Sequence, residues 1–180
     1  MSAPEHDWLL PPADLAQRLP AWLVALPRWA PWAAVWNVKR GKFDKLPKNP
    51  HRPMYGLSTT TPEKWAGLDR AQRAYAAHPG ALHGVGFCMT GLQGVVAVDL
   101  DRCSARDGSP TPWARDVLER ALAAGGYCER SPSGTGFRIF MQDDEIDDDD
   151  WCNHEVGLEV YVGTAPRFLT VTGHPWGPAT

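Results

Sequence analysis

The chain has 180 residues and a mass of 19.8 kDa, with 43% hydrophobic and 22% charged residues and a formal charge of −3. That is one domain's length with enough apolar residues for a core, which excludes a disordered chain. No apolar run reaches the ~20 residues of a membrane span, and the acidic, proline-interrupted N-terminus lacks the basic and apolar regions of a signal peptide, so a cytoplasmic protein is expected.

In chain order, Trp22, Trp29, Trp32 and Trp36 crowd around Pro20, Pro27 and Pro31, which predicts short elements joined by turns and packed by large rings. Ala33 to Val38 alternates and ends at the basic turn Lys39-Arg40-Gly41-Lys42, the pattern of a strand and a hairpin return. Arg18 to Arg73 carries eleven bases against three acids, which is either the footprint of a phosphate-bearing partner or a solvated basic face. Thr61-Pro62-Glu63 predicts an N-cap and a helix to about Ala77. Gly84 to Met89 and Gly94 to Asp101, separated by Thr90-Gly91-Leu92-Gln93, predict two antiparallel strands.

Thr111-Pro112 repeats the cap, and Val117, Leu118, Ala121 and Leu122 form a helical stripe that stops at Gly125-Gly126. Tyr127 to Arg130, Phe137 to Met141 and Leu158 to Val162 predict strands. Arg167 to Thr172 is expected to pair with the last of these across a turn at 163–166. Asp143 to Asp150, with seven acids and no base, reads as a solvated loop. Cys88, Cys103, Cys128 and Cys152 form no C-x-x-C pair. Cys152 and His154 could supply two metal ligands, but buried or incidental thiols are the expected reading and no structural metal is assigned. The sum is an α+β chain with a mostly antiparallel sheet.

Three features carry chemistry. The apolar strand Val95-Val96-Ala97-Val98 runs into Asp99-Leu100-Asp101, whose carboxylates share a face roughly 6 to 7 Å apart. Like charges at an apolar strand end repel and lose hydration unless a cation lies between them, and oxygen ligands suit Mg²⁺ or Mn²⁺. The alternative is a strand end whose acids face water. Glu159, an acid inside the apolar-aromatic strand Leu158-Glu159-Val160-Tyr161, supplies a third carboxylate, with Glu155 ranked behind it. The loop Ser131-Pro132-Ser133-Gly134-Thr135-Gly136 offers backbone N–H groups and hydroxyls to an anion, with Arg138 on the following strand. A plain glycine hairpin is the alternative, and the loop is no Walker A motif.

Asp99-x-Asp101, then the Ser-Pro-Ser-Gly-x-Gly loop, then Glu159-Val160-Tyr161 with Arg167 and Thr170-Val171-Thr172-Gly173, resemble the archaeo-eukaryotic primase superfamily, specifically phage and plasmid primase-polymerases. Lys45-Leu46-Pro47-Lys48-Asn49-Pro50, Thr61-Pro62-x-x-Trp65 and Gly84-Val85-Gly86-Phe87 fit the family's N-terminal pattern, so the resemblance spans roughly residues 29 to 174. It implies an RRM-like, mostly antiparallel sheet with flanking helices (residues 81–180) beside a small N-terminal α/β part (residues 1–80) in a single catalytic domain. It also implies template-directed nucleotidyl transfer on single-stranded DNA in a bacterial host.

By that resemblance Asp99, Asp101 and Glu159 are the metal-binding catalytic acids. Ser131, Ser133, Gly134, Thr135, Gly136, Arg138 and Arg167 are expected to bind the triphosphate, and Lys39, Arg40, Lys42, Lys45 and Lys48 the template backbone. The family's usual histidine is Arg138 here, and many relatives continue into a helical priming domain and a helicase. Two alternatives stand beside this expectation. One is a catalytically weak or inactive relative that binds nucleotide or single-stranded DNA as an accessory factor; the other is a nuclease using the same acids.

Overall fold

Alternating apolar residues sort the chain into two antiparallel five-stranded sheets in a computed structural model that describes residues 4–145, 149–163 and 166–177. The first sheet is formed by β1 (Trp29–Asn37), β2 (Lys42–Asn49), β3 (Arg52–Gly56), β4 (Gly84–Cys88) and β10 (Phe168–Val171), in the order β10-β4-β1-β2-β3. The second is formed by β5 (Val95–Leu100), β6 (Tyr127–Arg130), β7 (Phe137–Gln142), β8 (Trp151–Asn153) and β9 (Leu158–Tyr161), in the order β6-β7-β5-β9-β8. Short helices α1 (Leu15–Arg18) and α2 (Ala21–Ala25) precede the first sheet, α3 (Leu68–Ala76) lies between β3 and β4, and α4 (Pro112–Ala123) between β5 and β6. The architecture is α+β, and no helix of the described residues is long and apolar enough to cross a membrane.

The period of two along β5 explains the layering. Val96, Val98 and Leu100 face a core with Phe137, Ile139 and the buried stripe Ala114, Leu118 and Ala121 of α4. Val95 and Ala97 face the other way, into a core shared with Phe140, Tyr161, Trp29, Val85, Phe87, Leu169 and the helical residues Leu15, Leu23 and Leu68. The second sheet is thus buried on both faces, and one of them is packed against the first sheet.

Several sequence expectations need correction. The segments at 84–89 and 94–101 do not pair: β4 lies between β1 and β10, while β5 is central to the second sheet. Nor does the segment after 166 pair with β9; β10 crosses to the first sheet and joins β4, and residues 164–165 of the expected turn lie outside the described residues. The helix expected over 61–77 is a 3₁₀ turn, Pro62–Lys64, then a break at Trp65-Ala66-Gly67 and α3; Ala66 bridges Trp29, which takes those residues out of the helix. Neither Thr61 nor Thr111 makes a side-chain cap bond. Trp29, Trp32 and Trp36 lie along one nine-residue strand; Pro31 is tolerated there because pairing with β2 begins only at Trp32. Of the acidic stretch, 146–148 lie outside the described residues, and Asp150 is not purely solvated, since its Oδ1 accepts the Val162 N–H at 2.9 Å. Cys88, Cys103 and Cys128 are buried and Cys152 is exposed.

Candidate active site

The residues of β5 that face the first sheet are Val95, Ala97 and then Asp99, so the apolar layer ends in a carboxylate. Its neighbours do the same. Phe140 is followed on that face of β7 by Arg138, and Tyr161 of β9 by Glu159. The register aligns these polar ends into one row across four strands: Glu129 opposite Arg138, Arg138 opposite Asp99, Asp99 opposite Glu159. Directly opposed side chains stand about 5 Å apart at Cβ, and like charges so placed are destabilising. The row therefore pairs two of its members and leaves an acidic end at Asp99 and Glu159.

Arg138 is 5% exposed and its charge is held on both sides of the sheet interface. Its Nε donates to Asp99 Oδ1 at 3.0 Å, while Nη1 donates to the Thr170 carbonyl at 2.5 Å and to Thr170 Oγ1. It is thus a cross-tie between β5, β7 and β10, not the free phosphate fork that its sequence position suggested. Glu159 accepts from the Tyr161 hydroxyl and stands 3.1 Å from His154 Nδ1. Asp101 follows the strand, anchored by its N–H donating to the Gly157 carbonyl at 2.7 Å. Its carboxylate has no hydrogen-bond partner or ion pair among the described residues. Partial burial and the like charge of Asp99 raise its pKa above the ordinary carboxyl value, despite the opposing pull of Arg138 and Lys45.

The serine–glycine loop sits against this strand end. A Cβ on Gly136 would lie 2.1 Å from the Leu100 carbonyl oxygen, so only glycine permits the approach. Within the loop the hydroxyls bond one another, Ser131 to Ser133 at 3.1 Å and Ser133 to Thr135 at 2.9 Å, and Ser131 Oγ accepts the Gly136 N–H. Ser131 is buried and shapes the loop, while Ser133 and Thr135 reach the open space beside it.

That space is a cavity of about 990 Å³ between the two sheets. Asp99, Asp101, Glu159, Arg138, Ser133 and Thr135 form one wall. The opposite wall comes from β2, its hairpin turn and the N-terminal segment: Arg40, Lys42, Phe43, Lys45, Trp36, His6 and Trp8. Lys45 is the cation that faces the acids, and its ammonium pKa is depressed to about 8 by burial and by Arg138, against the attraction of Asp99 and Asp101. Arg40 is ion-paired to Asp44 at 2.8 Å.

The structure thus brings Asp99, Asp101, Glu159, Ser133, Thr135, Arg138, Arg40, Lys42 and Lys45 to one cavity. Lys39, Lys48, Ser131, Gly134, Gly136 and Arg167 are outside its lining. Arg167 lies over the Tyr161 ring at 4.7 Å and 3.7 Å from Asp150, which takes it away from the position expected for a triphosphate ligand. Sequence reasoning overlooked Glu129, His6, Trp8 and Phe43. Glu129 carries the same signal as Glu159, an acid inside an apolar strand. The N-terminal residues carry none, because they are brought in by the Leu9 N–H bond to the Pro132 carbonyl at 2.9 Å and by the His174 Nε2 contact with the Leu10 carbonyl at 2.8 Å.

The acids of the cavity wall are hard oxygen donors, the ligand type that Mg²⁺ and Mn²⁺ take. Two carboxylates oppose each other with a third beside them, yet among the described residues no three His, Cys, Asp or Glu side chains close around one point. Mg²⁺ commonly takes one or two protein carboxylates and completes its shell with substrate phosphate oxygens and water. The chain matches no protein-family model and no curated protein.

Proposed function

We propose that the chain is a nucleotidyl transferase of the primase-polymerase kind, joining nucleotides on a single-stranded DNA template in phage or plasmid replication inside a bacterial host. What carries this is the charged row across β7, β5 and β9, with Asp99, Asp101 and Glu159 on one wall of a nucleotide-sized cavity and Lys45 on the other. The RRM-like reading of the second sheet with α4 and a helicase as companion domain or protein belong to the same proposal; β4 and β10, from residues 81–180, complete the first sheet, so the two parts do not divide at residue 80.

Asp99, Asp101 and Glu159 would hold Mg²⁺ or Mn²⁺, which supplies charge neutralisation at phosphate and a more acidic 3′-hydroxyl. The protein's own groups do the rest. Lys45 and the hydroxyls of Ser133 and Thr135 draw the triphosphate onto the acid wall. Arg138 fixes the Asp99 carboxylate, so that its free oxygen points in one direction. Asp101, whose carboxylate is unpartnered among the described residues, is the acid of the three that is free to turn to the cation without breaking an existing contact. Lys39, Arg40, Lys42 and Lys48, on or near the hairpin, hold the template electrostatically, so binding weakens as salt rises.

Primer extension on a single-stranded template with Mg²⁺ or Mn²⁺ tests this. The parent extends, and the double substitution Asp99→Ala, Asp101→Ala lowers the rate by at least about 100-fold. Equal extension by the two proteins would overturn the assignment of the acids. A specific observation favours a second reading. Asp99 is already ion-paired to Arg138, and Glu159 is engaged by Tyr161 and His154, as suits an accessory protein that binds nucleotide without joining it. Metal-dependent nucleotide binding with no incorporation would select that reading.

A further inference from the structure

We propose that Trp8, Trp36 and Phe43, with His6 at their edge, are the seat for the base of a nucleoside triphosphate. The inference rests on the nucleotide reading of the acid wall and adds to it the group that selects a nucleoside over a bare polyphosphate.

The rings are mutually ordered. Phe43 is met edge to face by Trp36 at 5.1 Å and by Trp8 at 5.4 Å, and His6 meets Trp8 at 4.0 Å. The largest core rings, Trp29, Trp32, Phe87, Phe137 and Phe140, are all at most 1% exposed, and the half-buried rings that pack against the cores, Trp22, Trp113, Trp176 and Phe168, lie outside the cavity lining. Trp8, Trp36 and Phe43 are half-buried, His6 is exposed, and all four border the cavity. A T-shaped cluster at an opening leaves ring surface free, and base–aromatic stacking needs such a surface.

Position supplies the rest. Phe43 and Lys45 are two apart on β2 and share its cavity face, and the Lys45 ammonium stands 5.9 Å from the Trp8 ring. Along the cavity the sequence of groups is therefore aromatic, then cationic, then anionic with room for a divalent cation. A nucleoside triphosphate with its metal presents the complementary order of base, phosphates and cation. A volume of about 990 Å³ suits one nucleotide better than a run of template. Trp8 is fixed beside the Ser133 loop by the Leu9–Pro132 bond, so the N-terminal segment closes the base end of the cavity.

Calorimetric titration of the full chain with dATP and with inorganic tripolyphosphate, both with Mg²⁺, tests the assignment. Expected is an affinity for dATP about tenfold above that for tripolyphosphate. Trp8→Ala and Phe43→Ala should each erase most of that difference and leave tripolyphosphate binding unchanged, and Trp8→Phe should restore it. The proposal is overturned if both alanine variants bind dATP like the parent, if they lose tripolyphosphate in parallel, or if they weaken only a single-stranded oligonucleotide. Its failure is separable from that of the polymerase reading. A parent that shows the wall-dependent dATP preference yet extends no primer keeps the base seat and loses the polymerase; acid-dependent extension with a wall-insensitive dATP affinity does the reverse.

Discussion

The two walls of the cavity are built by different means. The acid wall is a row of strand residues set by register, with its central charge, Arg138, buried and tied to both sheets. The opposite wall is one face of a hairpin plus an N-terminal segment held by two long-range contacts to backbone carbonyls. Its one cation facing the acids, Lys45, has no ion pair among the described residues. The first wall has fixed geometry and charges largely spent on one another; the second has adaptable side chains and a charge to spare. Chemistry that needs reproducible positioning belongs on the former, ligand capture on the latter.

The strongest way to break this contrast is to remove the cross-tie. Arg138→Met leaves Asp99 without its partner and releases Thr170, and because the Arg138 side chain is 6% exposed and that of Asp99 17%, the loss in unfolding free energy should be about 3 to 5 kcal/mol. Urea unfolding measures it. Adding Asp99→Asn to that variant should recover part of the loss, since the stranded charge disappears. A loss under about 1 kcal/mol would mean that the acid wall is not held by this pair.

A second tie between the sheets lies away from the cavity. Glu129, fully buried on β6, accepts the Thr172 N–H at 2.9 Å, the Gly173 N–H at 2.8 Å and the Tyr127 hydroxyl at 3.0 Å, binding the chain after β10 to the second sheet. Burial outweighs these bonds and raises its carboxyl from the ordinary 4.5 to about 7. The folded chain then keeps a proton that the unfolded chain releases near pH 4.5. The stability this group contributes is full below that pH and falls by about 3 kcal/mol as pH rises to 7. Denaturation at pH 5 and at pH 7.5 should show that decline in the parent and not in Glu129→Gln. The same slope in both proteins would place the titrating group elsewhere.

How much of this is legible in the residues depends on distance along the chain. The acids show in the sequence because each breaks a local apolar pattern: Asp99 and Asp101 end one strand, and Glu159 interrupts another. The glycine loop shows for the same reason. Strand partners do not, since continuous apolar runs mark β4 and β5 as buried on both faces but not which strands lie beside them; the two are neighbours in sequence and belong to different sheets. The contacts of Arg138 and Arg167 are hidden on the same ground. What an arginine grips depends on the element opposite, here Thr170 and Asp99 for one, Tyr161 and Asp150 for the other. The basic run 39–48 is legible as charge, but only the fold sets Lys45 within reach of Asp99 and Asp101, while Arg40 and Lys42 line the same cavity from its exposed hairpin end.

Lys45 gives the mildest and most discriminating comparison. Its ammonium is costly to keep inside the cavity, as its pKa of about 8 against an ordinary 10.5 records, so the folded state gains stability when that charge is removed. Lys45→Met should therefore raise the unfolding midpoint while weakening tripolyphosphate binding about tenfold, the loss of one charge-assisted contact. The sign with pH follows: the lysine is charged below pH 8 and neutral above it, so the parent's affinity should fall between pH 7 and 9 while that of the variant stays level. A residue that costs stability and supplies binding is the signature of a ligand site rather than of a packed wall. If Lys45→Met lowers stability and affinity together, the hairpin wall is structural, and the division of labour between the two walls fails.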